Sequence, residues 1–208
     1  MKYAAINAMN MQQKCLASET LCSFYTILMD SIYERNKETA EAENKYILNC
    51  MNTGKLCVFT NTGKMHQIKV LDLPHGKFRD KGQPIDNVSN YDSSKEQIVF
   101  ICDAEQMRYA KIMFATKMGM IKQVEGSEFQ VAKRTIVATK LQAEDEVVFV
   151  GVINNNQTVV LRTKEGYFLK FAAEEVAEVL KERFHSFLNV YKSQPFFLEV
   201  VPQNIDKA

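Results

Sequence analysis

The chain has 208 residues, of which 46% are hydrophobic and 25% charged, and its formal net charge is +1. These values suit a globular protein with a proper core and exclude a wholly disordered chain. No apolar run approaches the ~18–20 residues a membrane-spanning helix needs, and the overall charge is far below that of a strongly basic binder.

Residues 1–30 are mixed and Met-rich, with weak helical periodicity. They lack the long apolar stretch and small-residue cleavage site of a signal peptide, so a cytoplasmic location is expected. The following YERNKETAEAEN, Tyr33 to Asn44, is polar and rich in helix formers, which predicts a surface helix or linker. Residues 1–45 are therefore expected to be a mixed or helical flank.

Three later stretches are copies of one another. They are LCVFTNTGKMHQIKVL (56–71), IMFATKMGMIKQVEG (112–126) and VVLRTKEGYFLKFAA (159–173). Gly63, Gly119 and Gly166 align, as do Thr60, Thr116 and Thr163, at offsets of 56 and 47 residues. Each copy predicts a β-hairpin, with glycine at the turn position that favours the left-handed conformation. A strand–turn–strand unit recurring every ~40–50 residues marks a propeller-like array.

Apolar slots align as well: Val58/Phe114/Leu161, Met65/Ile121/Phe168 and Ile68/Val124/Phe171. Gln67, Gln123 and Lys170 share a polar slot. Strict alternation is blurred, as expected when sheets stack and both faces are partly covered. Between hairpins lie a basic loop, a short strand near Ile85 or Val137, and an apolar strand at 97–101 or 146–151. That makes about four strands per unit, and about three units over residues 46–175.

Residues 176–208 form the last segment. EEVAEVLKERFHSFLNVY (174–191) places Val176, Val179, Leu180, Phe184 and Phe187 on one helical face, which predicts an amphipathic helix. Pro195 and Pro202 bracket a final apolar stretch, 196–200.

Charge is unevenly spread. Residues 51–171 carry 17 Lys/Arg against 13 Asp/Glu, whereas 1–50 and 172–208 are mildly acidic. The five cysteines, Cys15, Cys22, Cys50, Cys57 and Cys102, include no CxxC pair. Cys50, Cys57 and His66 fit no common zinc spacing, and the thiols are expected to be buried and inert. His66, His75 and His185 have no catalytic spacing and are expected to be structural or solvent-facing. No nucleophile–base pair, metal cluster or phosphate loop is visible, so no catalytic residue, metal or cofactor is assigned.

The run CVFTNTGKMHQIKVLDLPHGKFRDKGQPIDNVSNY (57–91) resembles the C-terminal domain of bacterial type IIA topoisomerase A subunits, those of DNA gyrase and topoisomerase IV. The runs at 113–148 and 159–176 resemble its following blades. The TxxGK hairpin, the KFRDKG and KRT loops, the GSEF corner and the GYFLKF strand occur in order. The resemblance implies a mainly β fold: a β-pinwheel fragment of about three four-stranded antiparallel blades with helical flanks. It also implies a module of DNA topology that binds double-stranded DNA around a basic rim in the bacterial nucleoid. Matching rim positions are Lys64, Lys77, Arg79, Lys81, Lys117, Lys133, Arg134, Lys140 and Lys164. Such residues neutralise phosphates without reading bases.

Departures qualify the likeness. No glycine-rich basic box of the gyrase kind is present, nor any counterpart of the domain bearing the catalytic tyrosine. The chain is therefore expected to be a partial member and not catalytic alone, although the family's enzymes are ATP-hydrolysing isomerases. Other topoisomerase subunits or a second copy are further expected partners. The competing expectation is a protein-interaction or assembly module that has lost DNA wrapping.

Overall fold

The computed structural model describes residues 12–17, 23–28, 38, 42, 44–75, 82–154, 156–163, 166, 168–176, 178–179 and 196–202. The strands at 12–17, 23–28 and 196–202 are described by their backbone alone. In chain order the strands are β1 (Gln12–Ala17), β2 (Ser23–Leu28), β3 (Tyr46–Met51), β4 (Lys55–Thr60), β5 (Lys64–Lys69), β6 (Gln83–Pro84) and β7 (Ile98–Asp103). They continue with β8 (Lys111–Thr116), β9 (Ile121–Glu125), β10 (Thr135–Val137), β11 (Val147–Ile153), β12 (Gln157–Thr163), β13 (Phe168–Ala172) and β14 (Phe196–Pro202). Two short helices, α1 (Ile85–Val88) and α2 (Ala104–Arg108), lie in the connections.

The strands form four sheets ordered β3-β1-β2-β6, β10-β5-β4-β7, β11-β8-β9 and β13-β12-β14. One rule generates all four. Each unit gives a hairpin and a later strand to one sheet, and in the second and third units the chain between them sends a short strand back to the preceding sheet. Thus β6 pairs with β2, and β10 pairs with β5 through Thr135↔His66 and Val137↔Lys64. In the third sheet Glu178 makes an isolated bridge to Gln123 of β9. The following strands β3, β7, β11 and β14 touch in succession.

The three glycine-marked hairpins are the predicted ones: β4–β5, β8–β9 and β12–β13. Gly63, Gly119 and Gly166 all have positive φ, between 77° and 89°. The Gly63 and Gly119 amides donate to Thr60 O and Thr116 O at 3.0 Å, closing equivalent turns.

A fourth unit, absent from the sequence reading, comes from the expected N-terminal flank, where β1 and β2 pair with β3. Its hairpin connection, SETLC (18–22), contains no glycine, so an alignment keyed on glycine passes over it. At the other end the apolar stretch after Pro195 is β14, paired along β12. Of the helix expected over 174–191, Glu174 and Glu175 lie in a 3-10 turn, Ala173–Glu175. Residues 180–195 lie outside the described set, as does most of the helix or linker expected over 33–44. The short strand expected near Ile85 is two residues earlier, and Ile85 itself begins α1.

Three apolar clusters fill the gaps between successive sheets, and alternate residues of each strand feed opposite gaps, as the two-residue strand period requires. Leu56, Val58 and Ile68 pack back onto Cys50, Ile85 and Tyr91. Cys57, Phe59 and Met65 pack forward onto Ile112, Phe114 and Phe129. There Phe59 meets Phe114 and Phe129 edge-on, with ring centroids 5.6 and 5.5 Å apart. Met113, Ala115 and Ile121 then pack forward onto Val159, Leu161 and Phe171. Burial on both faces is why these strands read as nearly continuous apolar runs.

The polar slot has a matching role. Gln67 Nε2 donates to Phe129 O at 3.4 Å, and Gln123 Nε2 to Ala173 O at 2.6 Å. Each glutamine thus ties its hairpin to the 3-10 turn following the next hairpin. Cys57 and Cys102 are free and buried. Cys50 departs from the expectation of inert thiols: it is disulfide-bonded, with a partner outside the described side chains.

Candidate nucleic-acid interface

Short β10 is flanked by exposed positive charge. It follows the β8–β9 hairpin and lies along β5, with Lys133 and Arg134 exposed at its entry and Lys140 exposed just beyond it. Backbone bonds fix both ends. Gln67 N donates to Arg134 O at 2.7 Å, and Ala138 N and Thr139 N both donate to Gly63 O, at 2.9 and 3.0 Å. The middle is pinned by side chains, because Thr135 Oγ1 bonds His66 Nδ1 at 3.1 Å and accepts from Asn90 Nδ2 at 3.2 Å.

The segment after β10 joins two hairpin tips. Val147 N donates to Asn61 O at 2.8 Å, and Lys117 N donates to Glu146 O at 2.8 Å. The Asp145 carboxylate accepts from Met118 N at 3.0 Å. Lys140 therefore belongs to a rim segment running from the turn at Gly63 to the turn at Gly119.

Beneath this rim is a buried ionic cluster. Glu96, 4% exposed, accepts from Lys64 Nζ at 2.7 Å and bonds His66 Nε2 at 2.9 Å. Burial pushes the Glu96 carboxyl up, but hydrogen bonds from Lys64, His66 and Thr60 outweigh it and hold the carboxyl below its ordinary value. Tyr91 Oη donates to Glu96 O at 2.7 Å and sets its ring edge-on to His66. His66 is accordingly structural, one of the two roles expected for it.

The nine rim positions divide into three groups. Lys133, Arg134 and Lys140 are exposed and form no ion pair among the described residues. Lys64 and Lys117 already face carboxylates, Lys64 at 2.7 Å from Glu96 and Lys117 at 3.8 Å from Glu146. Lys77, Arg79, Lys81 and Lys164 lie outside the described residues.

Sequence reasoning passed over three neighbouring residues. Glu96 stands 32 positions from its lysine, with no local signal linking them. Lys69 is exposed at the end of β5, beside the path of β10. Its repeat equivalents are Glu125 and Ala172, so the alignment hides it. Lys122 is fully buried, with Nζ 5.2 Å from the centre of the Phe114 ring, and burial pushes its amine down to about 8. No group of three or more His, Cys, Asp or Glu side chains among the described residues is arranged to hold a metal ion. No described helix is long and apolar enough to cross a membrane.

Sheets in series, the first two completed by a strand returned from the next unit, define a β-pinwheel. Residues 110–154 match the family described as "DNA gyrase C-terminal domain, beta-propeller". The chain is 34% identical over 122 residues to the DNA gyrase A subunit of Lawsonia intracellularis, covering 58% of this chain and 15% of that one. It is 30% identical over 142 residues to the DNA topoisomerase 4 A subunit of Bacillus subtilis, covering 67% of this chain and 17% of that one. The chain thus spans about a sixth of these relatives' length.

Two solved structures share the fold. The C-terminal domain of DNA topoisomerase IV matches with a TM-score of 0.81 at 20% identity, over 93% of this chain and 62% of that one. The E. coli ParC C-terminal domain matches with a TM-score of 0.74 at 14% identity, over 93% and 80%. In sequence and fold the chain is similar to the C-terminal β-pinwheel domain of bacterial type IIA topoisomerase A subunits.

Proposed function

We propose that this chain is a non-catalytic module of DNA topology that binds duplex DNA through its phosphate backbone. One observation carries the reading: Lys133, Arg134 and Lys140 are exposed, without ion pairs among the described residues, on a segment tied down at both ends. A fixed row of cations neutralises phosphates and releases counterions with little side-chain ordering elsewhere, which gives affinity without base readout. The segment from Lys133 to Lys140 reaches at most about 25 Å. Duplex DNA carries roughly 14 phosphates over that length, enough for each cation to find its own.

Lys64 and Lys117 contribute less, because each already shares its charge with a carboxylate. Lys77, Arg79, Lys81 and Lys164 extend the rim on the strength of the family likeness. By the same likeness the module acts within the A protein of a type IIA topoisomerase, whose chemistry belongs to other parts of that enzyme.

Fluorescence anisotropy with a short labelled duplex tests the reading. Binding is expected at low salt, indifferent to sequence, and lost in Lys133→Glu/Arg134→Glu/Lys140→Glu. Absence of duplex binding by the native chain at low salt, or undiminished binding by the triple variant, overturns it.

A further inference from the structure

A group of sulfur atoms in the core plays no part in the proposed DNA contact. Cys57 on β4 and Cys102 on β7 are direct cross-strand partners. Both thiols are free, at 0% and 7% exposure, and both belong to the cluster between the second and third sheets. Met107, 1% exposed on α2, belongs to the same cluster, with its Sδ 3.6 Å from Cys102 Sγ.

We propose that Cys57, Cys102 and Met107 form a binding site for a soft, thiophilic divalent metal ion. Two thiolates and one thioether on converging elements make a ligand set that hard cations avoid and soft ones favour. The surroundings select the charge. An ion in this apolar cluster is stable only if the site is close to neutral, and two thiolates cancel the charge of a divalent ion. A monovalent ion leaves a net negative charge.

The step balances as two thiols plus one M²⁺ giving a bis-thiolate complex and two protons. No electron moves. Burial, then the neighbouring Asp103 charge, holds the Cys57 thiol up at about 12, and burial with Cys57 nearby raises Cys102 well above its ordinary value. The ion must therefore displace protons from both sulfurs, so proton release accompanies loading.

A cavity of about 300 Å³ lies along the other side of α2, lined by Asn49, Cys50, Met51, Asp103, Gln106 and Tyr109 among others. Asp103 and Gln106 are the chain neighbours of Cys102 and Met107. Asp103 and Glu105 give this cavity an acidic edge beside the sulfur cluster.

Cadmium chloride titrated into the full chain tests the site. The expected result is one tightly held equivalent with a thiolate-to-metal absorption band, release of two protons, and a sulfur-only shell by cadmium-edge X-ray absorption. Cys15→Ser/Cys22→Ser/Cys50→Ser, which leaves only Cys57 and Cys102, is expected to keep band and stoichiometry. Cys57→Ala/Cys102→Ala is expected to lose both, and Met107→Leu to weaken binding at unchanged stoichiometry. No thiolate band in the native chain, an oxygen or nitrogen shell, or loss of the band in a triple serine variant that stays folded without the Cys50 disulfide overturns the proposal. The X-ray measurement needs only the native chain, so it decides even if a core variant fails to fold. None of these readouts involves DNA.

Discussion

Gly63 and Thr139 hold the basic segment against the second sheet. Thr139 N donates to Gly63 O at 3.0 Å, and a Cβ built on Gly63 would stand 2.5 Å from Thr139 O. Residue 63 also has a φ of +77°. Gly63→Ala therefore faces two penalties: about 1–2 kcal/mol for the left-handed backbone, and displacement of the 138–139 backbone. A total loss of roughly 2–4 kcal/mol is expected by urea denaturation. Duplex affinity should also fall in the folded protein, because Lys140 follows Thr139 directly. Gly166→Ala is the control: its φ is +89° but nothing lies within 4 Å of its added Cβ, so only the backbone penalty applies.

Ile121 and Phe168 fill the same slot of consecutive units but differ in surroundings. Ile121 is 1% exposed against the fourth sheet, while Phe168 is 66% exposed on that last sheet. Ile121→Ala should cost about 2–5 kcal/mol through lost burial and the cavity left behind. Phe168→Ala should cost at most about 1 kcal/mol, chiefly its contact with Arg162, whose guanidinium lies 5.5 Å from the ring centre. Parallel denaturation curves check the contrast, and equal losses would contradict the packing direction assigned to the slot.

That contrast also marks what the sequence could disclose. The three hairpins were legible because Gly63, Gly119 and Gly166 impose the same turn chemistry at fixed offsets. The returned strand β10 was legible as a short apolar run behind a basic loop. The first hairpin was not, since the five residues joining its strands include no glycine and leave no mark in the alignment. At the rim, exposure of Lys133, Arg134 and Lys140 followed from their loop chemistry. The partners of Lys64 and Lys117 did not, because Glu96 and Glu146 come from other strands' connections, 32 and 29 residues away. Charge alone does not say which lysine is already compensated.

Glu96 makes the second sheet sensitive to acid. Its carboxyl, although pushed up by burial, is held below its ordinary value by Lys64, His66 and Thr60. A depressed acid contributes stability that is present above its unfolded value and lost as pH falls through the folded one. The native chain should therefore lose stability on acidification below the usual carboxylate range. Glu96→Gln should cost roughly 1–3 kcal/mol near neutrality and flatten that part of the profile. Thermal melts of both proteins across acidic pH check the sign. Because His66 bonds both Glu96 and Thr135, amide exchange along β10 should rise in the variant.

Lys122 acts in the opposite pH range. Burial lowers its amine from 10.5 to about 8, so between these values the unfolded chain binds the extra proton. Stability should rise with pH across that window. Lys122→Met keeps the length and apolar stem of the side chain and should remove the rise. Melts at alkaline pH separate the two outcomes, and an unchanged slope in the variant would assign it to another group.

The salt dependence of duplex binding measures how many cations of the rim touch phosphates. Each neutralised phosphate contributes about 0.9 to the slope of log affinity against log salt. If Lys133, Arg134 and Lys140 each contact one, Lys133→Gln/Arg134→Gln/Lys140→Gln should lower the slope by about 2.7. Lys117→Gln should lower it by less than about 0.9, since Glu146 already shares that charge at 3.8 Å. Lys64→Gln gives a different signature, because it strips a donor from buried Glu96: stability falls more than the slope does. Anisotropy titrations at several salt concentrations, paired with melts of the same proteins, separate a cation that meets DNA from one that holds the fold.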